Sequence, residues 1–123
     1  MRLLLDTHVL IWWDAGQKLS ATARDAIQEA DDVYVSVASA WEIAIKASLG
    51  KIASKRTVAR ATADGGFLEL PATFAHAEQL ARLPAIHRDP FDRMLIAQAI
   101  AEGLTLVTRD PEIMQYHVPV IAA

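Results

Sequence analysis

Four acidic side chains each lie where an apolar, strand-like segment gives way to a helix, or where such a helix begins: Asp6, Glu42, Asp92 and Asp110. If the fold gathers these positions at one pole, several like charges lie together beside apolar strands. Desolvation and mutual repulsion both oppose the ionised form of such a cluster unless a cation neutralises it. The pattern therefore predicts a divalent-metal site.

The ligands that the chain offers indicate which metal this would be. The sequence contains no cysteine and no closely spaced pair of histidines, which disfavours zinc, whereas carboxylate oxygens suit Mg²⁺ or Mn²⁺. His8 and His87 could each act as a base or a ligand, but a lone histidine near an apolar segment is more often a hydrogen-bonded packing residue. We leave both outside the predicted catalytic set. Ser39 and Thr108 are candidate supporting hydroxyls, although helix capping and strand propensity also explain them.

Each acid also has an ordinary structural explanation. Asp89 and Asp110 each precede a proline and can cap a helix, while Asp92 lies in a first turn, where an acid favours the helix dipole. Glu42 could be the solvent-facing residue of an apolar helix. Asp6 is harder to explain in this way because it interrupts an apolar passage directly after a strand that should be buried. The agreement of four positions favours the metal site.

Strand-like and helix-like patterns alternate along the chain. The predicted strands are residues 2–5, 33–36, 67–70, 104–108 and 118–121. The predicted helices are residues 9–13, 20–30, 36–50, 55–63, 73–83 and 90–102. This alternation is typical of an α/β/α sandwich with a central parallel sheet of four to five strands, although it does not determine the strand order. In such folds strand ends and helix beginnings share one edge, where ligands usually bind, so all four acids can face one crevice.

Composition narrows the class of protein. The 123 residues, 53% of them hydrophobic, are expected to form one domain over residues 1–123. The absence of cysteine suits a reducing cytoplasm, and the apolar opening is too short for a signal or a membrane span. A formal charge of −3 argues against a protein that coats nucleic acid through overall basicity, but it does not exclude a nuclease.

One stretch between Glu42 and Asp64 is locally basic and contains no acid. Its charged residues are Lys46, Lys51, Lys55, Arg56 and Arg60. Contact with phosphate groups and an ordinary solvated helix explain this run equally well. The three tryptophans are predicted to lie in the core or at an interface rather than to stack on bases.

Four segments give the chain a strong resemblance to the PIN-domain ribonucleases and, within them, to the VapC-type toxins of toxin–antitoxin pairs. They are residues 5–8, residues 39–43 with Lys46, residues 87–99 and residues 106–110. The likeness extends over nearly the whole chain, and the third segment is the longest and most specific. The resemblance implies the compact α/β/α fold, a homodimer, and inhibition by a VapB-type antitoxin.

The resemblance also implies metal-dependent endonucleolytic cleavage of RNA, with Asp6, Glu42, Asp92 and Asp110 as the acidic metal-site residues. It makes Thr108 a supporting hydroxyl and Asp89 a residue of the outer shell. The hypothesised reaction is hydrolysis of a phosphodiester by a metal-activated water, with Asp6 and Asp92 as the main ligands. Three basic residues are candidate contacts to the RNA backbone: Lys46, Arg88 and Arg93.

Two other functions are compatible with the residues. A strand-terminal aspartate such as Asp6 could form an aspartyl phosphate, but the second acid expected two residues later is replaced by His8. Alternatively, the domain could be a non-catalytic module that recognises RNA or a protein partner. The sequence does not identify the RNA that is cut, the number of metal ions, or the dimer and antitoxin surfaces.

Overall fold

Five parallel strands form the centre of the molecule in a computed structural model that describes residues 1–16, 19–52 and 56–123. The strands are β1 (Arg2–Leu5), β2 (Asp32–Ser36), β3 (Leu68–Leu70), β4 (Thr105–Thr108) and β5 (Val120–Ala122). The helices are α1 (Thr7–Asp14), α2 (Ala21–Glu29), α3 (Val37–Ser48), α4 (Val58–Gly65), α5 (Phe74–Ala81) and α6 (Pro90–Glu102), with a short 3₁₀ turn at Ile113–Gln115.

Helices cover both faces of the sheet, which confirms the predicted α/β/α sandwich. One core cluster joins the sheet to α1, α2 and α4, and the other joins it to α6 and the beginning of α3. Leu3 and Leu5 belong to the first cluster and Leu4 to the second, because successive residues of a strand point to opposite faces. All three are fully buried, as expected for a central parallel strand covered on both sides.

The strand order is β3-β2-β1-β4-β5, so the chain runs outward from β1 in one direction and then continues on its other side. β1 and β4 are therefore neighbours, and their carboxyl ends border the point at which the order reverses. Such a reversal point leaves a crevice at the carboxyl ends of the strands, which is the usual ligand site of open α/β sheets. Asp6 directly follows β1, and Asp110 lies two residues beyond β4.

Local signals set several helix boundaries. Asp89 caps α6 by accepting hydrogen bonds from the backbone N–H groups of Phe91 and Asp92, Pro90 occupies the first turn, and Gly103 ends the helix with φ of 67°. The predicted bounds of α6 are therefore confirmed. Helix α4 begins at Val58, and the predicted start at residue 55 lies outside the described residues.

Within the described ranges, none of the helices has both the length and the apolar character needed to cross a bilayer.

Candidate active site

One cavity of about 310 Å³ opens at the carboxyl edge of the sheet between β1 and β4. Its lining residues are Asp6, His8, Trp12, Asp92, Arg109 and Asp110. Three of the four acids singled out in the sequence therefore share this cavity. The fourth, Glu42, is not among the lining residues, but its charge acts on Asp92 and thus lies within electrostatic reach.

Asp6 is buried and firmly held. One carboxylate oxygen accepts the backbone N–H of His8 at 3.1 Å, and the other accepts the hydroxyl of Thr108 at 2.6 Å. Burial by itself raises the pKa of Asp6, but hydrogen bonds from His8 and Thr108 outweigh burial and leave the pKa below its ordinary value. Asp6 therefore remains a carboxylate at neutral pH, and its orientation is fixed by donors from α1 and β4.

The pKa of Asp92 is shifted in the opposite direction to that of Asp6. Burial raises its pKa first, and the negative charges of Asp6, Asp89 and Glu42 raise it further, while His87 opposes them, so that the pKa rises to about 7. A positive charge beside the carboxyl group of Asp92 is therefore needed to ionise it fully at neutral pH. A bound cation would supply that charge and return Asp92 to its ionised form.

Glu42 is 3% exposed, so the interpretation of this residue as the solvent-facing side of its helix is wrong. Its Oε2 accepts a hydrogen bond from Lys46 Nζ at 2.6 Å, one helical turn away. Its Oε1 has no hydrogen-bond partner among the described residues. Leaving a buried carboxylate oxygen unpaired is costly. That unpaired oxygen and the raised pKa of Asp92 both fit a site for a cation.

His87 is the residue that our sequence interpretation left out and that the structure places among the acids. Its Nε2 lies 2.8 Å from Asp110 Oδ2 and 3.1 Å from Asp92 Oδ2, so these three side chains could together hold a metal ion. Burial alone lowers the pKa of His87, but the hydrogen bond to Asp110 and the charges of Asp92 and Glu112 raise it above its ordinary value. The signal in the sequence was its position two residues before the helix cap Asp89.

The two candidate supporting hydroxyls have different partners. Thr108 connects two of the acids, because its hydroxyl donates to Asp6 and accepts the backbone N–H of Asp110 at 3.1 Å. Ser39 is fully buried and shares a hydrogen bond of 2.7 Å with the hydroxyl of Thr7, the residue after Asp6. Ser39 therefore ties α3 to the beginning of α1. Within the described part of the chain, Ser39 makes no hydrogen bond to an acidic side chain.

The predicted helix cap is confirmed for Asp89, whereas Asp110 caps a turn rather than a helix. Asp89 is the N-cap of α6, and its charge still contributes to the raised pKa of Asp92. Asp110 accepts the backbone N–H of Glu112 at 2.8 Å and so stabilises the turn after β4. Capping and membership of the acidic cluster are thus compatible, since each carboxylate has two oxygens and the cap occupies only part of the group.

The three candidate RNA contacts, Lys46, Arg88 and Arg93, differ in their exposure and in their partners. Arg88 is exposed and makes no ion pair with any described residue, whereas Lys46 is bound to Glu42. Arg93 donates to the carbonyl of Pro84 at 3.0 Å, which gives it a structural contact between the α5–α6 loop and α6. Their contacts with RNA stay predictions, and Arg88 is the most accessible of the three.

Much of the basic stretch after Glu42 is neutralised by acids from elsewhere in the chain. Arg56 forms ion pairs with Asp14 and Asp64, and Arg60 approaches Asp64 at 3.9 Å. Lys51 is exposed, and Lys55 lies outside the described residues. These pairs favour the interpretation of the stretch as an ordinary charged surface.

Aromatic residues occupy different environments. Trp12 and Trp13 are partly buried against the core, as predicted, and the guanidinium of Arg109 lies 4.2 Å above the Trp12 ring at the cavity. Trp41 is 63% exposed and meets Phe91 edge to face, so it is not a core residue. A role for Trp41 at an interface stays a prediction.

Comparisons with known proteins agree with this fold. A family model described as the PIN domain matches residues 3–119 of the chain. The protein is also 32% identical over 126 aligned residues to a protein named Ribonuclease VapC22 from Mycobacterium tuberculosis, with 95% of this chain and 93% of the relative covered.

Two solved structures resemble the fold over almost the entire chain. VapBC2 from Rickettsia felis, bound to a DNA fragment from its promoter, matches with a TM-score of 0.70 and 12% identity, covering 99% of this chain and 98% of that one. DNA-bound VapBC from Salmonella typhimurium matches with a TM-score of 0.71 and 17% identity, with the same coverage. At these identities the likeness concerns the fold alone.

Proposed function

The chain belongs to the PIN domain family, and from this premise we propose that it is the toxin of a type II toxin–antitoxin pair, a metal-dependent endoribonuclease that hydrolyses RNA phosphodiester bonds. The relative named as a ribonuclease supports the activity. The observation that carries the proposal is the acidic cluster at the reversal point of the sheet, in which Glu42 keeps an unpaired buried oxygen and the pKa of Asp92 is raised to about 7.

The cofactor in this proposal is Mg²⁺ or Mn²⁺, with Asp6 and Asp92 as the main ligands and Glu42 and Asp110 completing the site. Carboxylate oxygens are the ligands that these ions prefer. When bound, such an ion supplies a Lewis acid that activates water and offsets charge on the phosphate. One ion or two are both compatible with this set of residues.

The protein's own residues prepare the site before substrate arrives. Thr108 and the backbone of His8 hold Asp6 ionised and oriented, and Lys46 balances one oxygen of Glu42. Fixed charges that need no rearrangement during the reaction are an effective source of catalysis. Arg88, the exposed cation next to the α6 cap, is the strongest candidate for a contact with the RNA backbone, with Lys46 and Arg93 as weaker ones.

The partners in this proposal are RNA, a VapB-type antitoxin and a second copy of the chain. The two solved relatives are described as VapBC assemblies, which supports the antitoxin. We place the protein in the cytoplasm, where its RNA substrate lies and where a chain without cysteine is well suited. The whole chain, residues 1–123, acts as a single domain in this account.

The test is cleavage of a panel of cellular RNAs by the purified chain, with EDTA and Mn²⁺ add-back, for the wild type, Asp6→Asn and Asp92→Asn. Asp25→Asn, an exposed acid on α2, is the matched control. We expect metal-dependent cutting by the wild type and the control and none by the two site variants. Circular dichroism must show that both site variants fold. Equal cutting by all four proteins would refute an intrinsic nuclease and leave the binding module as the alternative.

A further inference from the structure

His87 joins two acids that come from distant parts of the chain. Asp92 lies in the first turn of α6, and Asp110 follows β4. Within the described residues, no other side chain is hydrogen-bonded or ion-paired with the carboxylate of Asp92. The second oxygen of Asp110 is already occupied by the backbone N–H of Glu112. The relative placement of these two carboxylates therefore depends on the imidazole between them.

The hydrogen bonds of the ring define which nitrogen carries the proton in neutral His87. Nδ1 accepts the backbone N–H of Asp89 at 3.1 Å, so its lone pair is occupied and the remaining proton lies on Nε2. Nε2 is the atom that faces Asp110 at 2.8 Å and Asp92 at 3.1 Å. A protonated Nε2 donates to Asp110 and cannot coordinate a cation.

The backbone of His87 is held as firmly as its ring. Its N–H donates to the hydroxyl of Tyr116 at 2.8 Å, and the N–H of Ile86 donates to the same hydroxyl at 3.2 Å. That hydroxyl in turn donates to the carbonyl of Pro84 at 2.9 Å, and Tyr116 is itself buried. The α5–α6 loop is thus fastened to the connection between β4 and β5, which is the connection that also carries Asp110.

We propose that His87 is a positioning residue of the metal site: its Nε2–H donates to Asp110 and keeps that carboxylate beside Asp92 in the arrangement that receives the cation, without coordinating the cation itself. This inference rests on the proposed function for its biological meaning, but it concerns metal affinity and can fail separately. Outer hydrogen-bond partners of metal ligands typically change affinity or activity by about 10- to 100-fold when they are removed.

The experiment compares Mn²⁺ affinity, measured by isothermal titration calorimetry, in the metal-stripped full chain and three variants. His87→Gln retains an N–H near the position of Nε2, whereas the shorter His87→Asn does not reach Asp110. His117→Asn, at an exposed histidine outside the site, is the control. We expect His87→Asn to weaken Mn²⁺ binding by about tenfold. His87→Gln should stay within about threefold of the wild type, because the donor is restored.

A spectroscopic measurement separates positioning from coordination. Pulsed electron paramagnetic resonance of the Mn²⁺-loaded wild type is expected to show no directly bound ¹⁴N nucleus. A directly bound nitrogen that disappears in His87→Asn would overturn the proposal, as would unchanged Mn²⁺ affinity in a folded His87→Asn. If His87→Asn fails to fold, two results still test the proposal. Mn²⁺ affinity of His87→Gln within about threefold of the wild type and a wild-type spectrum without bound nitrogen would support it. A directly bound nitrogen in the wild-type spectrum would overturn it.

RNA cleavage by the same proteins distinguishes this inference from the proposed function. Loss of Mn²⁺ affinity in His87→Asn with no RNA cleavage by the wild type would support the positioning role and refute the nuclease. Metal-dependent cleavage by the wild type together with wild-type Mn²⁺ affinity in His87→Asn would support the nuclease and refute the positioning role.

Discussion

Two histidine–carboxylate pairs flank helix α6, and they differ in how completely their polar groups are satisfied. His76 accepts the backbone N–H of Thr73 at Nδ1 and faces Glu102 through Nε2 at 3.1 Å. His87 repeats this arrangement with Asp89 and then faces two carboxylates rather than one. The same local chemistry therefore serves two regions with different amounts of negative charge.

The region around His76 is saturated with hydrogen bonds. Buried Gln98 accepts a hydrogen bond from Ser36 and donates to the carbonyl of Pro71 at 3.4 Å, so this network connects α6 to β2 and to the segment after β3. Satisfied buried networks of this kind stabilise a fold and specify its packing. The network contains one carboxylate, Glu102, which faces His76 and is partly exposed.

The region around His87 has excess negative charge instead. It contains a carboxyl group whose pKa is raised to about 7 and a buried glutamate oxygen without a partner among the described residues. Buried polar groups without hydrogen-bond partners and carboxyl groups with strongly shifted pKa values are typical of ligand-binding or catalytic sites. The difference between the two regions favours the proposal that the first maintains the fold and that the second is the cation site.

The largest difference between the regions around His87 and His76 is expected in RNA cleavage, when one carboxylate charge is removed from each region. Asp92→Asn should reduce metal-dependent RNA cleavage on the order of 100-fold or more, because a main ligand is lost. Glu102→Gln, the matched change beside His76, should leave the rate within about threefold, since that carboxylate is partly exposed and remote from the cavity. Single-turnover cleavage assays measure both, and equal losses would erase the distinction.

A substitution in the region around His76 should instead lower the stability of the fold and leave metal binding unchanged. Gln98→Leu removes the acceptor for the hydroxyl proton of Ser36 and the donor to the carbonyl of Pro71, so the free energy of unfolding should fall by about 2 kcal/mol. Mn²⁺ affinity should remain unchanged, because the hydrogen-bond partners of Gln98 are Ser36, Pro71 and His76 and include none of the four acids. Urea unfolding and calorimetry on the same samples test this, and a large loss of Mn²⁺ affinity would contradict the separation.

The pH dependence of metal binding should reflect the raised pKa of Asp92. Below a pKa of about 7 the cation must displace a proton, so Mn²⁺ affinity should fall about fivefold between pH 7 and pH 6 and flatten above pH 8. Asp92→Asn should lose this component. Titrations at fixed ionic strength measure it, and an affinity independent of pH in the wild type would show that Asp92 is already ionised.

The smallest expected effect is on the stability of the metal-free protein. The pKa of Asp92 is about 7 in the folded chain and near its ordinary 3.8 when unfolded, so between these values the folded state binds more protons. Stability should therefore fall as pH rises from 4 to 7 and stay low above it. Allowing for solvent screening, Asp92→Asn should be more stable than the wild type in EDTA at pH 8 by about 1 kcal/mol.

Unfolding in urea at pH 4 and pH 8 measures that difference. At pH 4 the two proteins should be nearly equal, and added Mn²⁺ should favour the wild type at pH 8. A wild type that is the more stable of the two in EDTA at pH 8 would mean that Asp92 has a favourable partner that a neutral side chain cannot replace.

Elements with local signals were predictable from the sequence. The cap at Asp89, the proline after it and Gly103 defined both ends of α6, and the apolar run before Asp6 defined β1. The convergence of the acids also followed from a general property of α/β folds, namely that strand ends and helix beginnings share an edge. These inferences need only neighbouring residues and the periodicity of the chain.

What could not be predicted depends on contacts between distant residues. The strand order decides which acids become neighbours, and it is set by packing rather than by local pattern. The burial of Glu42 depends on how α3 faces the rest of the molecule, and an apolar helix pattern fits either orientation. His87 reaches Asp110 across 23 residues of sequence through a loop held by Tyr116, which no local motif encodes.

The central claim is that Asp6, Glu42, Asp92 and Asp110 surround a divalent cation, and a crystal structure with Mn²⁺ tests it most directly. Anomalous diffraction should locate manganese bonded to carboxylate oxygens of Asp6 and Asp92, with a second ion, if present, roughly 3.5 to 4 Å away. An ordered cavity without an anomalous peak, in crystals grown at saturating Mn²⁺ and neutral pH, would contradict the account.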